Sequence, residues 1–116
     1  MDTVITPLIA AVTANIRFLI IRTAPPSGDS LEGVMAATEV ERCCALLTQA
    51  LGPPAKPFGA AMTLDASSRR IVERLGGIRP DQCLYLQLQP DGHGRYASLW
   101  PWASDPTRIT LKLGLL

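Results

Sequence analysis

Apolar and polar residues alternate most regularly in the carboxyl-terminal third of the chain, residues 82–113. Leucines occupy alternate positions within residues 83–89, which is the period of a strand with one buried face. A turn-forming run at 90–94 precedes a second alternating stretch at 96–100, so the sequence predicts a β-hairpin. Prolines at 101 and 106 interrupt strand pairing because they lack an amide donor, and residues 108–113 then predict a third strand.

These three strands predict an aliphatic inner face and an outer face of mixed chemistry. The predicted inner face consists of Leu84, Leu86, Leu88, Ala97, Leu99, Ile109, Leu111 and Leu113. The predicted outer face consists of Tyr85, Gln87, Tyr96, Ser98, Trp100, Arg108, Thr110 and Lys112. Aromatic, amide and cationic groups side by side are typical of a recognition surface, although an ordinary solvated sheet face has a similar composition.

The amino-terminal segment predicts a helix followed by a strand. Residues 3–13 fit a helix with Pro7 in its first turn, or a strand, because Val, Ile and Thr are frequent there; we adopt the helix. Residues 16–22 are apolar on both sides, which is typical of a central strand covered on both faces.

A longer helix is predicted between Asp29 and Leu51. Asp29 and Glu32 have the spacing of a capping box, and Gly52 followed by two prolines provides a stop. The predicted buried stripe consists of Val40, Cys44, Leu47 and Leu51.

A short strand at 58–64 and a second helix at 66–75 complete the pattern. Asp65 is the expected N-cap, and Gly76-Gly77 is the expected left-handed stop. The residues expected to face inward are Ile71, Val72 and Leu75. The order of elements predicts one α+β domain over residues 1–116. We expect two layers, with two to three helices on one face of a mixed sheet of four or five strands that ends in an antiparallel meander.

Composition excludes several classes of protein. Hydrophobic residues make up 47% and charged residues 18%, which favours a compact globule over a disordered chain. The net charge of +1 creates no global attraction to nucleic acid or anionic membranes. Residues 4–21 approach the length of a membrane span, but Pro7, Asn15 and Arg17 fit poorly in one, so no membrane partner is predicted.

The cysteines and the single histidine predict no metal or cofactor. Three cysteines, two of them adjacent, do not form a disulfide framework, so we expect free thiols and a cytoplasmic setting. Cys44 falls on the predicted buried stripe, and Cys43 is expected to be more exposed. His93 lies in a turn, and no further ligands have the spacing of a zinc site.

Two groups of residues are candidate binding sites. Trp100-Pro101-Trp102 could anchor a partner or stack on a base; the alternative is that one indole closes the core while the other covers a loop. The second predicted helix carries a candidate anion patch of Arg69, Arg70 and Arg74. Glu73 lies among these arginines, as it would on an ordinary solvated face.

These patterns lead to a function hypothesis with two alternatives. We predict a non-catalytic interaction or assembly module whose partner is another protein or a second copy. Its predicted contact residues are Tyr85, Gln87, Tyr96, Trp100, Trp102, Arg108 and Lys112. One alternative is a single-stranded nucleic-acid binder that stacks bases on the aromatic residues. The other is a small enzyme or ligand-binding protein with a pocket between helices and sheet, using Cys83, His93 or Arg108.

Overall fold

The computed structural model describes residues 3–23, 30–59, 66–74, 77–88 and 93–116. Its elements are α1 (Ile5–Asn15), β1 (Phe18–Thr23), β2 (Ser30–Ala36), α2 (Val40–Leu51), α3 (Ala66–Arg74), β3 (Cys83–Leu88), β4 (Gly94–Pro101) and β5 (Arg108–Leu115). A short 3-10 turn, Ala37–Glu39, leads into α2. The strands form one sheet in the order β1-β2-β5-β4-β3. The predicted α+β class and the antiparallel meander at the end of the chain are confirmed.

The sheet differs from the expected mixed sheet because every described strand pairing is antiparallel. A parallel pair needs a crossover between neighbouring strands. Helices α2 and α3 instead connect β2 to β3, and these two strands are separated by β5 and β4. The crossover therefore spans the sheet without creating a parallel neighbour.

Helices α1 and α2 pack on one side of the sheet, which we call the first face. On α1 the buried residues are Ile5, Leu8, Ile9 and Val12, at the helical spacing of three and four. On α2 they are Cys43, Leu47 and Leu51. The strands contribute Leu31, Met35, Tyr85, Leu99, Leu111 and Leu113 to the same core. Each fully buried leucine contributes about 1.5–3 kcal/mol to folding, so this layer accounts for much of the stability.

The opposite side of the sheet, which we call the second face, is only partly covered. Val72 of α3 and Ile78 line a cavity of about 10 Å³ together with Leu84, Ser98 and Trp100. Helix α3 therefore lies over the second face at Leu84 of β3 and at Ser98 and Trp100 of β4. The part of the second face formed by β2, β5 and the end of β4 carries polar and aromatic side chains, which form the candidate site.

The prediction of a central strand at residues 16–22 is wrong, because β1 is an edge strand. Leu19, Ile20 and Ile21 are 50%, 41% and 51% exposed. A run of apolar residues predicts a strand, but it does not show that other elements bury that strand on both faces. The pairing of β1 with β2 also shifts register at two places, next to Leu19 and next to Arg22.

The predicted helix between Asp29 and Leu51 is wrong in its first part and confirmed in its second. Residues Ser30–Ala36 form β2, and the helix begins only at Val40; Asp29 lies outside the described residues. A capping interaction is worth about 1 kcal/mol, whereas β2 gains hydrogen bonds to two neighbouring strands and buries Leu31 and Met35. The helix ends as predicted before Gly52, whose φ is +83°.

The burial of the two adjacent cysteines is the reverse of the prediction. Cys43 is fully buried on the stripe that continues through Leu47, while Cys44 is half-buried beside that stripe. Helix α2 packs on the sheet through Leu51, Leu47 and Cys43. These residues are four positions apart and therefore lie on one side of the helix.

The remaining helix predictions are confirmed where they can be compared, whereas the strand predicted at 58–64 is not. Helix α1 replaces the strand alternative for residues 3–13, and α3 covers most of the predicted second helix with Ile71 and Val72 buried. Gly77 has a φ of +88°, as expected after a helix. Of the strand predicted at 58–64, Phe58 lies in a turn; residues 60–65, 75 and 76 lie outside the described ranges.

Candidate interaction surface

Strand register builds a cluster of aromatic and charged side chains on the second face. Trp100 lies opposite Thr110 on β5, and Glu32 of β2 lies opposite Lys112. Alternate residues of a strand share a face, so these side chains project together. We call the following residues the aromatic-cation cluster: Arg22, Glu32, Trp100, Trp102, Arg108, Thr110 and Lys112.

Trp102 is fixed by one hydrogen bond and two cations. Its Nε1–H donates to Thr110 Oγ1 at 2.8 Å. The guanidinium carbons of Arg22 and Arg108 lie 5.9 Å and 5.6 Å from its ring centroid. Both distances are within the range of cation–π attraction, worth about 0.5–1 kcal/mol at an exposed site. The half-buried indole is therefore held in one orientation.

Trp100 and Glu32 both contact the ammonium group of Lys112. Lys112 Nζ lies 4.5 Å from the Trp100 ring centroid and 3.6 Å from Glu32 Oε1. Glu32 also pairs with Arg22, with 3.7 Å between Arg22 Nη1 and Glu32 Oε2. One carboxylate thus joins the cations beside both tryptophans into a single network.

The turn before β5 positions the third cation. Arg108 Nε lies 3.4 Å from Asp105 Oδ2, and Thr107 donates to Asp105 Oδ1 through its backbone amide and its hydroxyl. These hydrogen bonds from Thr107, followed by the nearby Arg108 charge, lower the pKa of Asp105. The carboxylate is therefore charged at neutral pH and orients Arg108 toward Trp102.

The charges of the cluster and of Asp105 nearly balance. Three cations, Arg22, Arg108 and Lys112, face the carboxylates of Glu32 and Asp105, which gives +3 − 2 = +1. A surface with both signs interspersed is suited to specific recognition more than to general attraction of polyanions.

Tyr96 adds a phenol to the second face next to the cluster. It lies opposite Gly114 on β5 and is half-buried. Burial, and then the charge of Glu32, raise the pKa of the Tyr96 phenol. The hydroxyl is therefore protonated at neutral pH and can donate a hydrogen bond.

Two of the predicted contact residues do not lie on this surface. Tyr85 is buried on the first face, where its hydroxyl lies 3.0 Å from Thr48 Oγ1 and 3.4 Å from the carbonyl oxygen of Cys44. Gln87 follows on the same face and donates to the carbonyl of Ala50 at 3.5 Å. The predicted orientation of β3 is thus wrong, because α2 offers hydrogen-bond partners to the phenol while α3 covers Leu84 on the other side.

The arginines of the candidate anion patch are exposed on α3. Arg69, Arg70 and Arg74 all face solvent, and Arg70 and Arg74 border an open depression together with Ile71 and Glu73. The patch is separate from the aromatic-cation cluster in sequence and stays a prediction. His93 is exposed and lies just before β4.

Sequence reasoning missed Arg22 and Glu32, which connect the cluster. Glu32 was assigned to a helix cap, and Arg22 to the end of a central strand. The available signal was the alternation of Glu32 with Leu31 and Gly33, which fits a strand as well as a helix start.

A groove lies between α1 and α2 on the helical side. It has a volume of about 360 Å³ and is bordered by Thr3, Val4, Pro7, Leu8, Ala11, Leu46, Gln49 and Ala50. Most of these side chains are apolar and no charged group is among them, so the groove lacks the convergent polar groups of a typical catalytic site. Among the described residues, no three potential ligands lie close enough to hold a metal ion.

Comparisons with known proteins return no relative: no family model, no curated protein and no solved structure matches the chain. Within the described ranges, none of the helices is both long and apolar enough to cross a bilayer.

Proposed function

We propose that this protein is a non-catalytic interaction module that associates with a second copy of itself. The contact surface comprises the aromatic-cation cluster and the exposed Ile20 side chain of β1. One observation carries the proposal: Ile20, which is 41% exposed, lies opposite Val34 and therefore on the second face, which also carries the cluster. Apolar and charged groups thus adjoin, as they do in interfaces with an apolar centre and a polar rim.

The two tryptophans support this assignment. Tryptophan is enriched among the residues that dominate binding energy. Trp100 and Trp102 are already oriented by Lys112 and by the hydrogen bond to Thr110. A partner that covers them therefore loses little free energy to ordering side chains.

The charge pattern is compatible with a two-fold symmetric contact. Such a contact uses the same patch on both copies, so the patch must be complementary to itself. The cluster offers cations from Arg22 and Lys112 and a carboxylate from Glu32. Rotation of one copy onto another can bring opposite charges together.

The contact is expected to involve side chains more than main-chain pairing. The two register shifts in the pairing of β1 are β-bulge-like irregularities. Such irregularities bend an edge strand and discourage continuous pairing with another sheet. The exposed Ile20 side chain on the second face is then left to contact a partner.

Sedimentation velocity at micromolar concentrations tests the proposal. The unaltered protein should dimerise with increasing concentration, and Ile20→Lys should shift it to monomer, because burying an unpaired ammonium group is costly. The matched control is Leu88→Lys, since Leu88 is also 41% exposed but lies on β3 at the other sheet edge.

Two results would contradict parts of the proposal. A protein that stays monomeric throughout would rule out self-association and leave a different protein as the partner. Equal loss of dimer in Ile20→Lys and Leu88→Lys would rule out β1 as the contact.

A single-stranded nucleic acid is the second candidate ligand, favoured by the cations beside both indoles. Arg108 and Lys112 would contact phosphates while a base stacks on Trp100 or Trp102. This candidate ranks lower because each ring already has a cation over it, which a stacked base would displace. Tryptophan fluorescence titrated with an oligothymidine decides: quenching at low salt that high salt reverses supports it, and unchanged emission excludes it.

A further inference from the structure

Helix α3 carries exposed cations that have no ionic partner within the described ranges. Arg69, Arg70 and Arg74 all face solvent, and none of them pairs with a carboxylate of a described residue. Exposure alone does not explain this difference, because four arginines elsewhere lie 3.4–3.7 Å from a carboxylate oxygen although their side chains are 42–64% exposed. These four are Arg22, Arg42, Arg79 and Arg108.

Two of the unpaired arginines lie on the same side of α3. Arg70 and Arg74 are four residues apart in the helix, so their Cβ atoms are about 5–6 Å from each other. Both border one open depression of about 650 Å³, together with Ile71 and Glu73. Guanidinium groups one helical turn apart, beside the same depression, can contact one anion from two directions.

The charges along α3 are poorly placed for a helix without a ligand. Its first turn contains no acidic residue and ends at Arg69, whereas Glu73 lies in the last turn. Both positions oppose the helix dipole, which favours anions at the amino end and cations at the carboxyl end. Arg70 and Arg74 also repel each other, as like charges four residues apart do. An anion bound between these two guanidinium groups would remove that repulsion and stabilise α3.

The arginine side chains favour phosphate as the anion. A guanidinium group presents its N–H donors as a planar fork that matches pairs of phosphate or carboxylate oxygens. A carboxylate has two oxygens and occupies one such fork, whereas a phosphate has enough oxygens for both Arg70 and Arg74. Glu73 offsets one of the two positive charges at the depression. A single phosphate is therefore bound weakly, and a ligand with several phosphate groups gains further attraction from Arg69.

We propose that Arg70 and Arg74, assisted by Arg69, form a binding site for a ligand that carries several phosphate groups. This site differs from the aromatic-cation cluster, whose cations already pair with Glu32 and Asp105. It does not depend on self-association.

Isothermal titration calorimetry of the full chain at low ionic strength tests the site, with sodium tripolyphosphate as the probe. The unaltered protein should bind it. Arg70→Gln combined with Arg74→Gln should weaken binding by about tenfold or more, because charge-assisted hydrogen bonds from both guanidinium groups are lost. Arg42→Gln is the matched control, since Arg42 is an exposed arginine of α2 that already pairs with Glu39. Its affinity should stay within about twofold of the unaltered protein.

A change of the opposite sign is expected at Glu73. Glu73→Gln removes the carboxylate beside the two arginines, so tripolyphosphate should bind about two- to fivefold more tightly at low salt. Glu41→Gln makes the same change in net charge at an exposed position of α2 and should leave the affinity unchanged. Equal tightening by both variants would mean that the probe responds to the charge of the whole chain, which would contradict a site on α3.

Amide chemical shifts locate the bound probe. Tripolyphosphate should shift the resonances of residues 69–74 and leave those of residues 40–51 in place. An oligothymidine then distinguishes two sources of the phosphate groups. If it displaces tripolyphosphate from residues 69–74, a phosphodiester strand is a ligand of the site; if it does not, the ligand is a small polyphosphate.

Three results would overturn the proposal. They are the absence of tripolyphosphate binding at low salt, an unchanged affinity in the variant with both Arg70→Gln and Arg74→Gln, and shifts confined to residues outside α3. Circular dichroism checks that each variant is folded, and all the substituted side chains are exposed.

Discussion

Lys56 is a buried ammonium group held by backbone carbonyls. The side chain is 1% exposed, and Nζ donates to the carbonyl oxygens of Pro57, Pro80 and Gln82 at 2.9, 2.8 and 2.7 Å. Its backbone also exchanges two hydrogen bonds with Leu84 of β3. Lys56 thus joins the segment after α2 to the turn before β3 and covers part of the β3 edge.

Substitution of Lys56 by methionine tests how much this contact stabilises the fold. Lys56→Met keeps the chain length but leaves buried carbonyls without their donor, so the free energy of unfolding should fall by about 2–4 kcal/mol. The measurement is urea denaturation followed by circular dichroism. Lys112→Met, at the other lysine of the chain, should cost at most about 1 kcal/mol, because its ion pair with Glu32 stays partly open to solvent. Equal effects would mean that desolvation of the Lys56 ammonium cancels its hydrogen bonds.

Cys43 predicts a loss of stability at alkaline pH. Burial raises its pKa from 9.0 to about 12, so between these values the unfolded thiol has released its proton while the folded thiol retains it. The unfolded state then binds fewer protons, and the free energy of unfolding decreases by up to about 1.4 kcal/mol per pH unit. Cys43→Ala should make this decline shallower in urea melts under reducing conditions; an unchanged slope would contradict the assignment.

At the scale of single elements, strand β3 marks the limit of prediction from sequence. Alternation correctly placed the hairpin of β3 and β4 and the strand β5. Period two determines which residues share a face, but it does not determine which face a helix covers. Leu84 and Tyr85 are both buried, so burial alone does not distinguish the faces, and the Tyr85 hydroxyl finds its partners on α2. For this reason the predicted division between inner and outer face holds for β4 and β5 and is reversed for β3.

Strand β2 was missed because its local signals compete with its long-range contacts. The spacing of Asp29 and Glu32 fits a helix cap, whereas the pairing of Leu31 with Leu113 and of Met35 with Ile109 is decided by distant residues. Glu32 enters the site through this pairing, and Arg22 through the pairing of β1 with β2. Those parts of the site that depend on sheet order could not be predicted from local pattern.

Gly33 tests how β1 docks on β2. A Cβ at this position would lie 2.7 Å from Phe18 Cδ1 and 2.9 Å from Phe18 Cε1, so Gly33→Ala must displace the ring. We expect a loss of about 1–3 kcal/mol in the free energy of unfolding. Phe18→Leu combined with Gly33→Ala should recover part of it, measured as coupling in a double-mutant cycle.

A second glycine provides the control for that cycle. Gly52 has a φ of +83° with no atom within 4 Å of the added Cβ, so Gly52→Ala costs stability through backbone strain alone. Its effect should add to that of Phe18→Leu without coupling. Coupling at Gly52, or none at Gly33, would mean that contact with Phe18 is not the cause.

At the scale of the whole molecule, one sheet supports both the core and the candidate site. Neighbouring residues of β4 point to opposite faces: Leu99 joins the core beneath α1 and α2, and Trp100 joins the aromatic-cation cluster. The same holds on β5 for Leu111 and Lys112. If the core unfolds, the strand pairing that holds the cluster side chains together is therefore lost as well. The cluster depends on the same strands as the core.

This coupling predicts a single unfolding transition. Tryptophan fluorescence reports the second face, through Trp100 and Trp102, while far-ultraviolet circular dichroism reports chiefly the helices on the first face. The two signals should change with the same midpoint in urea, as expected for one cooperative domain. An earlier fluorescence transition at unchanged helicity would mean that the second face opens separately. In that case packing on the first face would not fix the side chains of β4 and β5 on the second face. The cluster could then rearrange around a partner without disturbing the core.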